Sequence, residues 1–134
     1  MSKIRVHGAV DVQWTRIGDM VRDPGRGGLT QGELDSFIRY AEPGTESSPQ
    51  LMEVNYAPNA VVAPHSHDSA EIVYVVEGEL HWGDRVLGPG ASLFIGEGAV
   101  YGYKAGPQGL RIVNVRPRAD FSFHPKLGGR GPAA

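Results

Sequence analysis

His65-Ser66-His67 and, four residues further on, Glu71 are the side chains whose types and spacing point to chemistry. Alternate residues of a strand share one face and lie about 7 Å apart, so two imidazoles at i and i+2 can converge on one ion. Glu71 has the same parity. Asp68-Ser69-Ala70 is expected to bend the chain between them, so parity alone does not bring the carboxylate in. Two neutral imidazoles and one carboxylate suit Fe(II), Mn, Ni, Co or Zn, and suit magnesium or calcium poorly. The chain has no cysteine, which excludes a thiolate metal site and a disulfide scaffold. The His-x-His spacing is also met by two solvated loop histidines beside Pro64, and with five histidines in the chain one such pair is unsurprising.

The elements that must position these groups are short strands. Gln50–Tyr56 alternates Met52, Val54 and Tyr56 against Glu53 and Asn55, the signature of a half-buried strand. Val61–His67 is a second strand, after a turn at Ala57-Pro58-Asn59. The apolar run Glu71–Val76 ends at Glu77-Gly78. Glu79–Trp82 and Arg85–Leu87 flank Gly83-Asp84, a tight hairpin. Ser92–Ile95, Val100–Lys104 and Leu110–Arg116 complete the set, the last two joined by a loop at 105–109. Upstream, one or two edge strands are expected in residues 1–21 and a loop at 22–28. Thr30-Gln31-Gly32-Glu33 has the form of a helix capping box, but Phe37-Ile38-Arg39-Tyr40 is β-rich and Gly32 disfavours a helix. A strand is the reading adopted for that segment.

Composition narrows the function classes. A chain of 134 residues is the size of one ordinary domain. Residues 1–125 are expected to form it, with residues 126–134 a disordered tail. With 19 glycines and 10 prolines dispersed between apolar runs, the pattern is that of an all-β fold rich in tight turns. A formal net charge of -2, without a basic face, argues against nucleic acid as a partner. No window approaches the roughly 18 apolar residues of a membrane span, and the N-terminus lacks a signal-peptide run. The default location is the cytoplasm.

The wider pattern His65-x-His67-x(3)-Glu71-x(6)-Gly78 resembles the first motif of the cupin family, and Gly88-Pro89-Gly90 onward to Gly98 resembles the second. The likeness spans about residues 50–116. It implies a single cupin-type β-barrel, a jelly roll or double-stranded β-helix, holding one divalent transition metal on His65, His67 and Glu71, with Fe(II) favoured and Gly78 closing a turn. Metal cupins usually supply a further histidine in the second motif. Here that slot falls at Tyr101. Tyr101 could ligate as phenolate, stay neutral and hydrogen-bond a metal-bound water or a substrate, or be a core tyrosine. Tyr103, Met52, Val73 and Asn114 are the expected substrate-binding residues, and Val54, Tyr56, Val75, Leu93 and Ile95 further apolar wall. His81 is expected to face outward. His7 and His124 are expected to be structural or solvated. Asp68 is either a solvated turn residue or a partner for a ligand histidine.

The resemblance implies a metalloenzyme acting on a small organic substrate that offers two oxygens, such as a diketone, enol or catechol-like molecule. Dioxygenase-type oxidative cleavage is the first expectation, with Tyr101 orienting substrate or carrying a proton. A metal-dependent isomerase or lyase is an alternative, and so is a non-catalytic binding module. By analogy with small cupins, a homodimer is expected.

Overall fold

The computed structural model describes residues 3–21 and 27–126. Most of the expected loop at 22–28 and all but one residue of the expected tail lie outside that range. Among the described residues, nine antiparallel strands form one curled sheet. They are β1 (Thr15–Arg16), β2 (Phe37–Glu42), β3 (Gln50–Tyr56), β4 (Val61–Ser66), β5 (Glu71–Trp82), β6 (Arg85–Leu87), β7 (Ser92–Ile95), β8 (Tyr101–Arg116) and β9 (His124–Pro125). Two one-turn helices, α1 (Ile17–Met20) and α2 (Gln31–Leu34), sit before β2. No helix among these residues is long and apolar enough to cross a membrane.

β8 is the spine of the sheet. Its C-terminal half pairs with β3, from Tyr56↔Leu110 to Gln50↔Arg116. Its N-terminal end pairs with β4 through Val62↔Tyr103 and His65↔Tyr101. The other edge of β8 pairs with β5 along almost its whole length. Inward positions of these strands make the core: Val54, Val62, Val73, Val75, Leu80, Leu110 and Ile112 are all buried. Each such side chain contributes roughly 1.5–3 kcal/mol on burial.

Two sequence expectations change and a third narrows. First, β5 and β8 are each unbroken where a turn and a loop were expected. The irregularity is absorbed as β-bulges, with register shifts between Val75 and Glu77 and between Gly78 and Leu80. Gly78 has φ of 79°, and a Cβ there would stand 2.2 Å from the carbonyl oxygen of Gly109. A side chain at 78 is therefore excluded both by conformation and by contact. Second, the 30–41 segment splits instead of forming one strand. Thr30 caps α2, its hydroxyl accepting from Glu33 N–H while Glu33 Oε1 accepts from Thr30 N–H. The β-rich Phe37-Ile38-Arg39-Tyr40 then pairs with β3. Third, of the one or two edge strands expected in residues 1–21, the described residues form one, Thr15–Arg16, paired with β2.

Candidate functional site

β4 ends with His65 facing inward, 4% exposed, and His67 follows on the same side, the ring centroids 4.8 Å apart. His65 Nδ1 lies 2.8 Å from the carbonyl oxygen of Ala63. His67 Nδ1 lies 2.5 Å from that of Ser122. A carbonyl can only accept, so both Nδ1 atoms carry the proton and both Nε2 atoms keep a free lone pair. Burial lowers the pKa of both rings, that of His65 to about 4. Both imidazoles are therefore neutral near pH 7, the form that binds metal.

Glu71 opens β5 and is 1% exposed. Burial would raise its pKa, but the Arg116 charge and hydrogen bonds from Tyr101 and Asn114 outweigh it and hold the carboxyl below its ordinary value. Arg116 Nε donates to Oε2 at 2.8 Å and Asn114 Nδ2 donates to the same oxygen at 2.9 Å. The Tyr101 hydroxyl donates to Oε1. Burial, and then the neighbouring Glu71 charge, keep the Tyr101 phenol neutral. Of the three readings open for Tyr101, this arrangement has it as a neutral hydrogen-bond donor, to Glu71 itself.

Arg116 is the residue that the sequence reading passed over. It is 3% exposed, and its second contact is to the carbonyl oxygen of Asp120. The signal was the parity of β8: Leu110, Ile112, Asn114 and Arg116 all point inward. The segment after Pro117, downstream of the last expected strand, also builds the site. Ser122 holds His67, and Phe123 stacks on His65 at 4.9 Å between centroids. Asp120 accepts from Ser69 N–H and Ser122 N–H at 2.7 and 2.8 Å.

His65, His67, Tyr101, Asn114 and Arg116 line a cavity of 410 Å³, within the range of small-molecule sites, while Glu71 lies behind that wall, held by Tyr101, Asn114 and Arg116. Met52, Tyr103 and Asn114 line it, as do Val54 and Tyr56. Val73 does not. It is fully buried in the core, between Leu93 and Asn114 of the flanking strands. Val75, Leu93 and Ile95 are likewise absent from the lining. Asp68 bonds the exposed His124 at 2.9 Å and neither ligand candidate. His81 pairs with Glu79, and His7 with Glu42.

The donor set fits a divalent transition ion in type. Two imidazole nitrogens are neutral and free. An ionised carboxylate offers about four acceptor positions, of which Glu71 uses three, leaving one on Oε1. The buried Asn114 Oδ1 has no hydrogen-bond partner, as expected of a site built around a further group. The set is not closed in geometry. Among the described residues no three His, Asp or Glu side chains are gathered closely enough to enclose an ion.

Residues 52–116 match the cupin domain family, and the fold is shared with cupin structures. It is similar over 98% of its length to the polyketide cyclase RemF from Streptomyces resistomycificus, with 28% identity, 90% of that chain covered and a TM-score of 0.67. KdgF from a Halomonas species is similar at 26% identity, with 62% of this chain and 79% of that one aligned and a TM-score of 0.52. Oxalate decarboxylase from Bacillus subtilis, a protein with Mn(II) centres, shares the fold at 16% identity and a TM-score of 0.58, over 68% of this chain and 28% of that one. No curated protein matches the chain in sequence.

Proposed function

We propose that this cupin-fold protein is a metal-dependent enzyme that closes a ring within a small, largely apolar substrate bearing β-diketone or phenol-like oxygens. The observation that carries this is the pair of backbone-anchored imidazoles presenting free Nε2 atoms in the lining of an apolar cavity. His65, His67 and Glu71 Oε1 would hold the ion, which when bound supplies Lewis-acid polarisation of a carbonyl. The protein's own residues do the rest. Asn114 Oδ1 accepts a hydrogen bond from a substrate hydroxyl. Tyr101 and Arg116 hold Glu71 ionised. Met52, Val54 and Ile112 exclude water. The 28% identity with a polyketide cyclase over 98% of the chain favours ring closure over oxidative cleavage. Dioxygenase chemistry is the second reading, favoured by the two-histidine, one-carboxylate composition of the donor set.

Elemental analysis of protein purified without chelators or affinity metal tests the centre. One divalent ion per chain is expected, and the His65→Ala/His67→Ala variant should have lost it. Equal metal in both would overturn the ligand assignment. Oxygen uptake during turnover of a β-diketone probe separates the two chemistries. We also propose that two copies associate through the outer sheet face, where Phe94, Ile72 and Val115 form one cross-strand row at 75%, 49% and 39% exposure. A light-scattering mass equal to one chain would remove that proposal.

A further inference from the structure

The cavity has a further polar lining group. Glu33 lines it and is 5% exposed. Tyr56 and Tyr103, whose hydroxyls are 2.8 Å apart, line the same cavity. Glu33 rides on α2, which is pinned to the barrel rim. Thr30 Oγ1 donates to the Val61 carbonyl at 2.6 Å. Ser36 Oγ donates to the Gly32 carbonyl at 2.7 Å and accepts from Ala57 N–H at 2.9 Å. A Cβ on Gly32 would stand 2.7 Å from Ala60 Cα, so helix and strand touch backbone to backbone. The carboxyl of Glu33 is thus held by a rigid support, as a working group must be.

Its surroundings lack a balancing charge. Thr30 N–H donates to Oε1 at 3.1 Å, and the Ala63 backbone gives a further hydrogen bond. Among the described residues no lysine or arginine is paired with it. The titratable groups that share its cavity wall are Tyr40 on β2, Tyr56 on β3, the neutral His65 and His67, and Tyr101, Tyr103 and Arg116 on β8, while α1 contributes only Ile17 and Met20; Arg116 is engaged by Glu71 and the Asp120 carbonyl. Asp35, on its own element, is turned to Arg16 at 2.7 Å. A capping box is served equally by glutamine, so the cap does not account for an acid at a site where the ionised form is costly.

We infer that Glu33 is the proton-carrying group of this cavity, taking a proton from and returning it to a substrate that reaches from His65 and His67 toward the Tyr56–Tyr103 pair. The inference rests on the ring-closure reading above. Ala63, beside the carboxyl, and His65 are two residues apart on β4, about 7 Å, one fragment of an extended diketone. Burial, opposed by the hydrogen bonds from Thr30 and Ala63, pushes the Glu33 pKa up to about 7, where an acid–base group works in both directions. The Glu33 carboxylate removes the proton from the carbon between two carbonyls, and the C–H electron pair becomes an enolate. That carbon bonds to the carbon of a further carbonyl, remote from those two, in the same molecule. The C=O π pair moves onto oxygen, which takes the proton back from Glu33. No oxidant or reductant enters.

The test uses benzoylacetone as probe and the metal-loaded protein, following deuterium incorporation at the probe's central carbon in deuterium oxide by NMR. The wild type should exceed buffer, with a rate that rises through pH of about 7. Glu33→Gln, which keeps the cap, should slow exchange about 100-fold, flatten the pH profile and leave probe affinity unchanged, with Glu33→Asp in between. Exchange by Glu33→Gln at the wild-type rate would overturn the inference. If His65→Ala/His67→Ala loses exchange in that case, the ring-closure reading survives alone. A wild type no faster than buffer would overturn both.

Discussion

Glu71 and Glu33 are the same side chain, both nearly inaccessible, one behind the cavity wall and one on it, and they are driven in opposite directions. Glu71 meets a guanidinium, an amide and a phenol and stays ionised. Glu33 meets backbone N–H groups and, among the described residues, pairs with no cation, and its proton is held to near neutrality. Burial acts on both in the same sense, so the neighbours decide. The carboxyl with the fixed charge suits anchoring an ion, and the carboxyl with the mobile proton suits moving one.

Arg116→Met breaks this contrast most severely. It leaves Glu71 buried without its cation, and a loss of about 3–5 kcal/mol is expected. Urea denaturation should show the loss above the carboxylate range and a smaller one in acid. Adding Glu71→Met should recover most of it, since a buried pair replaced by apolar groups is often neutral. No recovery would mean that Arg116 acts mainly through Asp120.

Glu33→Gln sharpens the contrast from the other side. With a folded pKa raised from 4.5 to about 7, Glu33 binds its proton more tightly in the folded protein. Its contribution is full below about pH 4.5 and is lost as pH rises through about 7, a span of about 3 kcal/mol. Glutamine does not titrate. The stability of the variant relative to wild type should therefore climb by up to that amount between about pH 4 and pH 8. Parallel curves would show that Glu33 titrates normally. Glu71, its pKa lowered, has the opposite sign, contributing above the unfolded value and losing that contribution as pH falls below it.

Tyr101→Phe has the smallest expected effect. It removes one hydrogen bond to a charged acceptor, about 2 kcal/mol, and should raise the Glu71 pKa without moving that of Glu33. Carboxyl titration by NMR would check both at once. A shift at Glu33 instead would show that the two carboxyls are not independent.

What could be read from the chain follows from range. His65, His67 and Glu71 lie within seven residues, and their spacing alone drew attention to them. Met52, Tyr103 and Asn114 followed from strand parity. Val73 shares that parity but sits buried between Leu93 and Asn114 of the flanking strands, pairings that no local pattern reveals. Arg116 and Glu33 were legible as types but not as neighbours. A strand-terminal arginine ordinarily faces water, and the capping box at Thr30 was outweighed by the β-rich residues after it. The pairing of Arg116 with Glu71 spans 45 positions, and only the folded register brings the two together.

Gly78 and Gly109 meet where the two longest strands cross. Tyr101 and Tyr103 precede that crossing on β8, while Asn114 and Arg116 follow it. The bare α-carbon at 78 thus acts as the pivot of a caliper, fixing the span between jaws it never touches. Widening the pivot would first change how long a molecule fits between them, before it changed any group that the molecule meets.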